Sequence, residues 1–283
     1  MSLKHWPVHL PPATTGIPAR RVVAVQGSGA TPRIFEKIER ELEGARVSFV
    51  HASVGWMRSR GGDVPQAAPM SLEAEARRVI AQARCWGGRS TTHLVGHSFG
   101  AAVALRAAHD APDLFSSVTL IEPVSFHLLR NRALRDRRLF GEAAALANDV
   151  GSRVASGDMA MAAARFCDYW NGRCSWGVMS DRRRDALSAR MPMVVGEFWA
   201  TMQDALRPKD LQRIPTPALI LTGSHTPATT RRIAELIVGN MPTAMPANLR
   251  HAGHMLPLTH GELAGRHIAR HIAVVDSLNP QAA

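Results

Sequence analysis

The sequence predicts an α/β protein built on a mostly parallel central sheet flanked by helices. Three observations point there. Short β-branched runs alternate with segments of helical spacing, the sign of strands joined by crossover helices. A serine stands between two glycines at the junction of one such run and an alanine-rich helix. The strand pattern then stops near Val124 and returns only near Pro217.

Each element follows from local chemistry. Arg21–Val25 is a β-branched run that meets Gly27-Ser28-Gly29, a strand ending in a tight loop. In Thr31–Leu42 the apolar residues Ile34, Phe35, Ile38 and Leu42 repeat with helical period. Arg46–His51 reads as a second strand, and the glycines and prolines of residues 52–70 read as a long loop. Ser71 reads as the N-cap of a helix running to about Trp86. Thr92–Val95 is a third strand, Phe99–His109 a helix, and Ser117–Ile121 a fourth strand. Pro217–Leu221 and a weaker Asn248–Arg250 are the later strands. Between them lie the helical groups Leu128–Phe140, Glu142–Val154, Met159–Trp170 and Arg182–Leu206. The expectation is a core from residues 1–124 and 211–283, with residues 125–210 inserted as a helical lid.

Composition excludes several classes. The chain has 283 residues, 46% of them apolar and 20% charged, which suits a globular domain with a sizeable core. No run approaches the roughly 20 apolar residues of a membrane helix. Residues 1–20, broken by Pro7, Pro11 and Pro12, hold no signal-peptide core, so a cytoplasmic location without membrane association is expected. The odd cysteine count (Cys85, Cys167, Cys174) argues against a disulfide framework. The net charge of +11 comes from scattered arginines, only Lys4, Lys37 and Lys209 being lysines. Without a recognition motif this does not read as nucleic-acid binding. A weak attraction for anionic substrates or carriers fits it better, and an Arg-rich but otherwise neutral surface fits better still.

The chemistry centres on Gly96-His97-Ser98-Phe99-Gly100. A serine on a sharp strand-to-helix turn exposes its hydroxyl above the sheet, and the flanking glycines avoid a clash with the neighbouring strand and helix. A bare G-x-S-x-G recurs by chance in about one chain in ten. The weight therefore falls on its context: a strand before it, and a helix opening with Ala101, Ala102 and Ala104 after it.

The run His93–Ala102 resembles the nucleophile segment of the α/β-hydrolase fold family. Val23–Gly29 resembles that family's strand and oxyanion-hole loop, with Gln26 where the family usually carries histidine. Ala252-Gly253-His254-Met255 resembles its catalytic-histidine loop, and Leu219–Gly223 the strand before the usual acid. The resemblance implies a serine hydrolase in which Ser98 attacks, His254 takes its proton, and the N–H groups of Ser28 and Phe99 form the oxyanion hole. The physics agrees, since a serine hydroxyl needs a base as it attacks and imidazole titrates near neutrality. Gly27, His97, Phe126 and His127 are expected in the pocket wall. The reaction as read needs no metal and no cofactor. The expected partner is a small-molecule, ester-like substrate, and nothing in the sequence fixes an oligomeric state.

The acid departs from the family pattern. The loop Gly223–Thr230, where an aspartate usually stands, holds no carboxylate, and Glu235 falls in the next helix. A second location is known among relatives, just past the strand after the nucleophile helix, and Glu122 occupies it. A carboxylate ending a buried strand wants a partner. His254 is the natural one, and an arginine is the alternative. A small or medium carboxylic ester is the expected substrate; lactone, amide or carbon–carbon hydrolysis would use the same groups. The missing aspartate also leaves open a binding or receptor protein that kept the fold. A dehalogenase or epoxide hydrolase is disfavoured, because those relatives place Asp where this chain has Ser98.

Overall fold

A computed structural model describes residues 20–43, 47–52, 70–86, 92–130 and 133–278. Their order is β1 (Arg20–Val25), a 3₁₀ turn (Pro32–Phe35), α1 (Glu36–Glu43), β2 (Val47–His51), α2 (Leu72–Trp86), β3 (Thr92–His97), α3 (Phe99–Asp110) and β4 (Ser117–Ile121). Then come α4 (Leu134–Ala155), α5 (Met159–Asn171), α6 (Asp181–Ser188), α7 (Met191–Gln203), β5 (Ala218–Gly223), α8 (Ala228–Asn240), β6 (Ala244–Leu249), α9 (Leu256–Thr259) and α10 (Gly261–Leu278). The six strands form one sheet in the order β2-β1-β3-β4-β5-β6, and every pairing is parallel.

Strand periodicity divides the core into two layers. Val23, Val25, Leu94 and Leu120 face one side, where α2, α3 and α8 pack. Val22, Ala24, Val95, Ile121 and Leu221 face the other, against α1 and α10. The chain leaves β1 for β2 on one flank and then returns to place β3 on the other. The crevice at the carboxyl ends of β1 and β3 is therefore a topological switch point, where open α/β sheets bind ligands.

Several boundaries differ from the sequence reading. The segment Thr31–Leu42 divides into a 3₁₀ turn and α1, with Pro32 in its first turn. Leu128–Phe140 and Glu142–Val154 are not two groups: α4 runs unbroken through Gly141, because the buried stripe Leu139, Ala143, Leu146, Val150 continues across it. Conversely, Arg182–Leu206 splits at Ala189 and Arg190, since Pro192 cannot continue the hydrogen-bonding of a preceding turn and instead opens α7. The final strand is Ala244–Leu249, longer than Asn248–Arg250. It is an exposed edge strand containing Pro246, so it shows little apolar alternation. The long loop expected over residues 52–70 lies almost entirely outside the described residues.

Candidate active site

Ser98 is the residue between β3 and α3, held at φ 55° and ψ −118°. Two glycines make that turn possible. A Cβ on Gly96 would lie 2.2 Å from the Gly100 carbonyl oxygen, and one on Gly100 would lie 2.0 Å from that of Val25. No side chain fits either space. The Ser98 N–H donates to Ile121 O at 2.9 Å, which ties the turn to the end of β4.

Glu122 follows immediately on β4, fully buried and also at positive φ (52°). His254 lies in the loop after β6. Its Nε2 stands 3.0 Å from Ser98 Oγ and its Nδ1 stands 3.2 Å from Glu122 Oε2. A carboxylate only accepts, so the proton belongs on Nδ1, which leaves Nε2 bare toward the serine hydroxyl. The structure thus brings Ser98, His254 and Glu122 into one hydrogen-bonded line. No arginine pairs with Glu122 among the described residues.

The loop after β5 contributes in a way its sequence did not suggest. Thr226 donates its hydroxyl to Glu122 Oε1, and the Gly223 N–H donates to the same oxygen at 2.7 Å. This loop lacks a carboxylate of its own, yet it grips the carboxylate arriving from β4. It also clamps the histidine loop. His225 N donates to Ala252 O and His251 N to Ser224 Oγ, both at 2.8 Å. Glu235 is elsewhere, paired with Arg232 and Arg135.

His97 braces the site from the opposite side. Its Nε2 lies 2.9 Å from the His254 carbonyl oxygen, which can only accept, so Nε2 carries the proton. Burial, followed by the neighbouring His254, pushes its pKa down to about 3, and His97 stays neutral. Trp170 of α5 stacks on the His254 ring with centroids 4.0 Å apart and planes 23° from parallel. The indole face shields the base and favours a positive charge on it. The sequence places Trp170 only at the end of a helical group, because nothing local distinguishes a tryptophan aimed at a histidine far along the chain.

Ser98 opens onto a cavity of about 350 Å³, lined by Gly27, Ser28, His97, Phe166, Trp170 and His254 among others. Arg33, Arg183 and Arg190 also line it. Arg190 Nη1 donates to Gly29 O at 3.0 Å, which fastens the loop after β1 to the inserted helices. Ser28 lies on that loop, and Phe99 is the first residue of α3, where helical N–H groups have no partner in the preceding turn. Phe126 borders a smaller space that also reaches Ser98. His127, expected in the pocket wall, lines neither space. It is drawn toward the end of α7, with Nδ1 3.0 Å from Thr201 O and Nε2 3.9 Å from Asp204. Its Nδ1 is satisfied beneath the cavity wall, while Nε2 has no hydrogen-bond partner among the described residues.

A sequence profile of the alpha/beta hydrolase family matches residues 22–266. The chain belongs to this family. Among solved structures it is similar to the enol-lactonase of Burkholderia xenovorans, with TM-score 0.71, 15% identity, and coverage of 90% of this chain and 92% of that one. A hydrolase from Pseudomonas aeruginosa gives TM-score 0.69 at 20% identity over 89% and 90%. The 2-hydroxy-6-oxo-6-phenylhexa-2,4-dienoate hydrolase of a Rhodococcus species gives 0.65 at 18% over 90% and 91%. At these identities the likeness shows the fold alone. Among curated proteins, polyketide synthase ThaQ of Burkholderia thailandensis is 28% identical over 251 residues. That match covers 86% of this chain but only 11% of the synthase.

Among the described residues no group of three metal-ligating side chains is assembled, and no helix is long and apolar enough to cross a membrane. Cys85, Cys167 and Cys174 are free thiols.

Proposed function

We propose that this protein is a serine hydrolase cleaving a small or medium carboxylic ester through an acyl-enzyme. The observation that carries this is the buried line from Glu122 through His254 to Ser98, ending at a cavity. In the first step Ser98 Oγ bonds to the substrate carbonyl carbon while its proton passes to His254 Nε2. The carbonyl electron pair moves onto oxygen, where the N–H groups of Ser28 and Phe99 receive it. Glu122 holds the imidazole in the required tautomer and offsets its new charge. His254 then returns the proton to the departing alkoxide. A water, deprotonated by the same nitrogen, attacks the acyl-enzyme and frees the acid.

Residues 125–210 act as a lid in this reading. α5 to α7 supply Phe166, Trp170, Arg183, Leu187 and Arg190 to the cavity wall, so substrate is enclosed between them and the sheet. A fluorophosphonate probe should label wild-type protein at Ser98 and leave Ser98→Ala unlabelled. An unlabelled wild type would instead favour the non-catalytic receptor reading.

The match to a polyketide synthase favours a second reading, in which the acyl group arrives as a thioester on an anionic carrier. The three cavity arginines are suited to such a carrier. Comparing kcat/KM for an N-acetylcysteamine thioester and the matching ethyl ester distinguishes the two.

A further inference from the structure

A second chamber, of about 10 Å³, also reaches Ser98. That is room for about one water-sized group. Its walls are largely apolar, with Val124, Phe126 and Phe198 among them, yet Glu197 of α7 also faces it. Glu197 is the one charged residue in the helix Met191–Gln203 and is 3% exposed. The Ser28 side chain hydrogen-bonds its carboxyl, while Oε2 has no hydrogen-bond partner among the described residues. An unsatisfied buried oxygen is costly, and it lies on a space that borders the nucleophile.

The two spaces differ in one respect that assigns them. His254 lines the large cavity and not the small chamber. The leaving group must receive its proton from His254, so it departs through the large cavity. The other substituent of the scissile carbonyl, the acyl group, then lies toward the chamber of Glu197, which has room for one oxygen-sized group of it.

Resting on the hydrolase reading above, we propose that this chamber receives a single hydroxyl or keto oxygen carried on the carbon next to the acyl carbonyl, and that Glu197 selects acyl groups bearing it. Burial, with the charge of Glu75 adding to it, raises the Glu197 carboxyl to about 8 against the opposing Ser28 hydrogen bond. Of the titratable groups on the elements around α7, Glu75 of α2, itself paired with Arg78, is the one whose charge acts on it. At neutral pH Glu197 is a carboxylic acid, with one O–H to donate and lone pairs to accept. It can therefore bond either a keto or a hydroxyl oxygen, and without a charge it does not oppose the oxyanion forming beside Ser28.

The test compares kcat/KM for p-nitrophenyl glycolate and p-nitrophenyl acetate at pH 7. Wild type should favour the hydroxy ester about tenfold, the scale of one buried hydrogen bond. Glu197→Gln, which keeps donor and acceptor, should retain the preference, and Glu197→Met should erase it. In wild type the preference should shift as pH rises through 8, while in Glu197→Gln it should stay constant. Equal preference in wild type and Glu197→Met would overturn the proposal, as would a wild-type ratio independent of pH. If wild type resisted the fluorophosphonate and cleaved neither ester, the hydrolase reading would fall, and this inference with it.

Discussion

At the scale of single residues, three side chains and two backbone groups carry the proposed chemistry, and each makes a separable demand. Ser98→Ala and His254→Ala should each lower turnover by at least about 10⁴, and the double variant by little more, because groups acting as one unit are non-additive. Steady-state kinetics of the three variants checks this; losses that multiply would mean the pair does not act together. Glu122→Gln should cost about 10³ to 10⁴, since an amide cannot offset the charge on the imidazolium. Glu235→Gln, removed to the surface arginines, should leave kcat within twofold, roughly. The acid is the residue whose role the sequence left open. Of the two partners the sequence offered it, His254 or an arginine, the structure gives Glu122 His254 on Oε2, with two donors from the loop after β5 on Oε1.

Secondary-structure elements position those residues by close approach. β3 and α3 meet across Gly96 and Gly100, where even a methyl group has no room. Gly100→Ala should therefore destabilise the fold by about 3 kcal/mol, read as a lowered midpoint in urea unfolding, because the opposing atom is a β1 carbonyl that cannot turn aside. The loop after β5 works differently. Thr226→Val preserves shape but removes a donor to a buried carboxylate, so activity should fall about tenfold while the fold persists. The inserted helices are tied down as well. Arg232 of α8 bonds both oxygens of Asp136, a buried carboxylate on α4. Arg232→Ala leaves that charge without its main partner and should cost about 3 kcal/mol.

For the molecule as a whole, buried titratable groups give stability a characteristic pH dependence. Burial lowers His97 to about 3 and His271 to about 4. In the unfolded chain both return to the ordinary imidazole range near 6.5. Below that value the unfolded state binds more protons than the native one, so stability falls as pH drops from about 6.5 toward 4. Glu197 acts in the opposite direction. Its folded value near 8 exceeds the unfolded value near 4.5, so the native state holds the extra proton and stability declines as pH rises between them. Thermal unfolding of Glu197→Gln against pH should show the variant gaining on wild type across that interval, and a constant difference would contradict it.

The sequence by itself determined the parallel α/β architecture, because strand and helix periods are local and the glycines around Ser98 are demanded by a local turn. It also determined which serine and which histidine stand out, since each lies in a short segment whose context can be read within a few residues. It could not determine how helices are cut or joined when a glycine falls on an open face, as at Gly141, or when a proline begins a helix, as at Pro192. Only the tertiary structure decided that Glu122 meets His254 rather than an arginine, that Trp170 covers the base, and that Glu197 faces the nucleophile. Those pairings join residues tens to more than a hundred positions apart. Such separations leave no periodicity for a sequence to display; the parallel sheet delivers the ends of β1, β3, β4 and β5 to one edge, and α5 and α7 bring Trp170 and Glu197 to it.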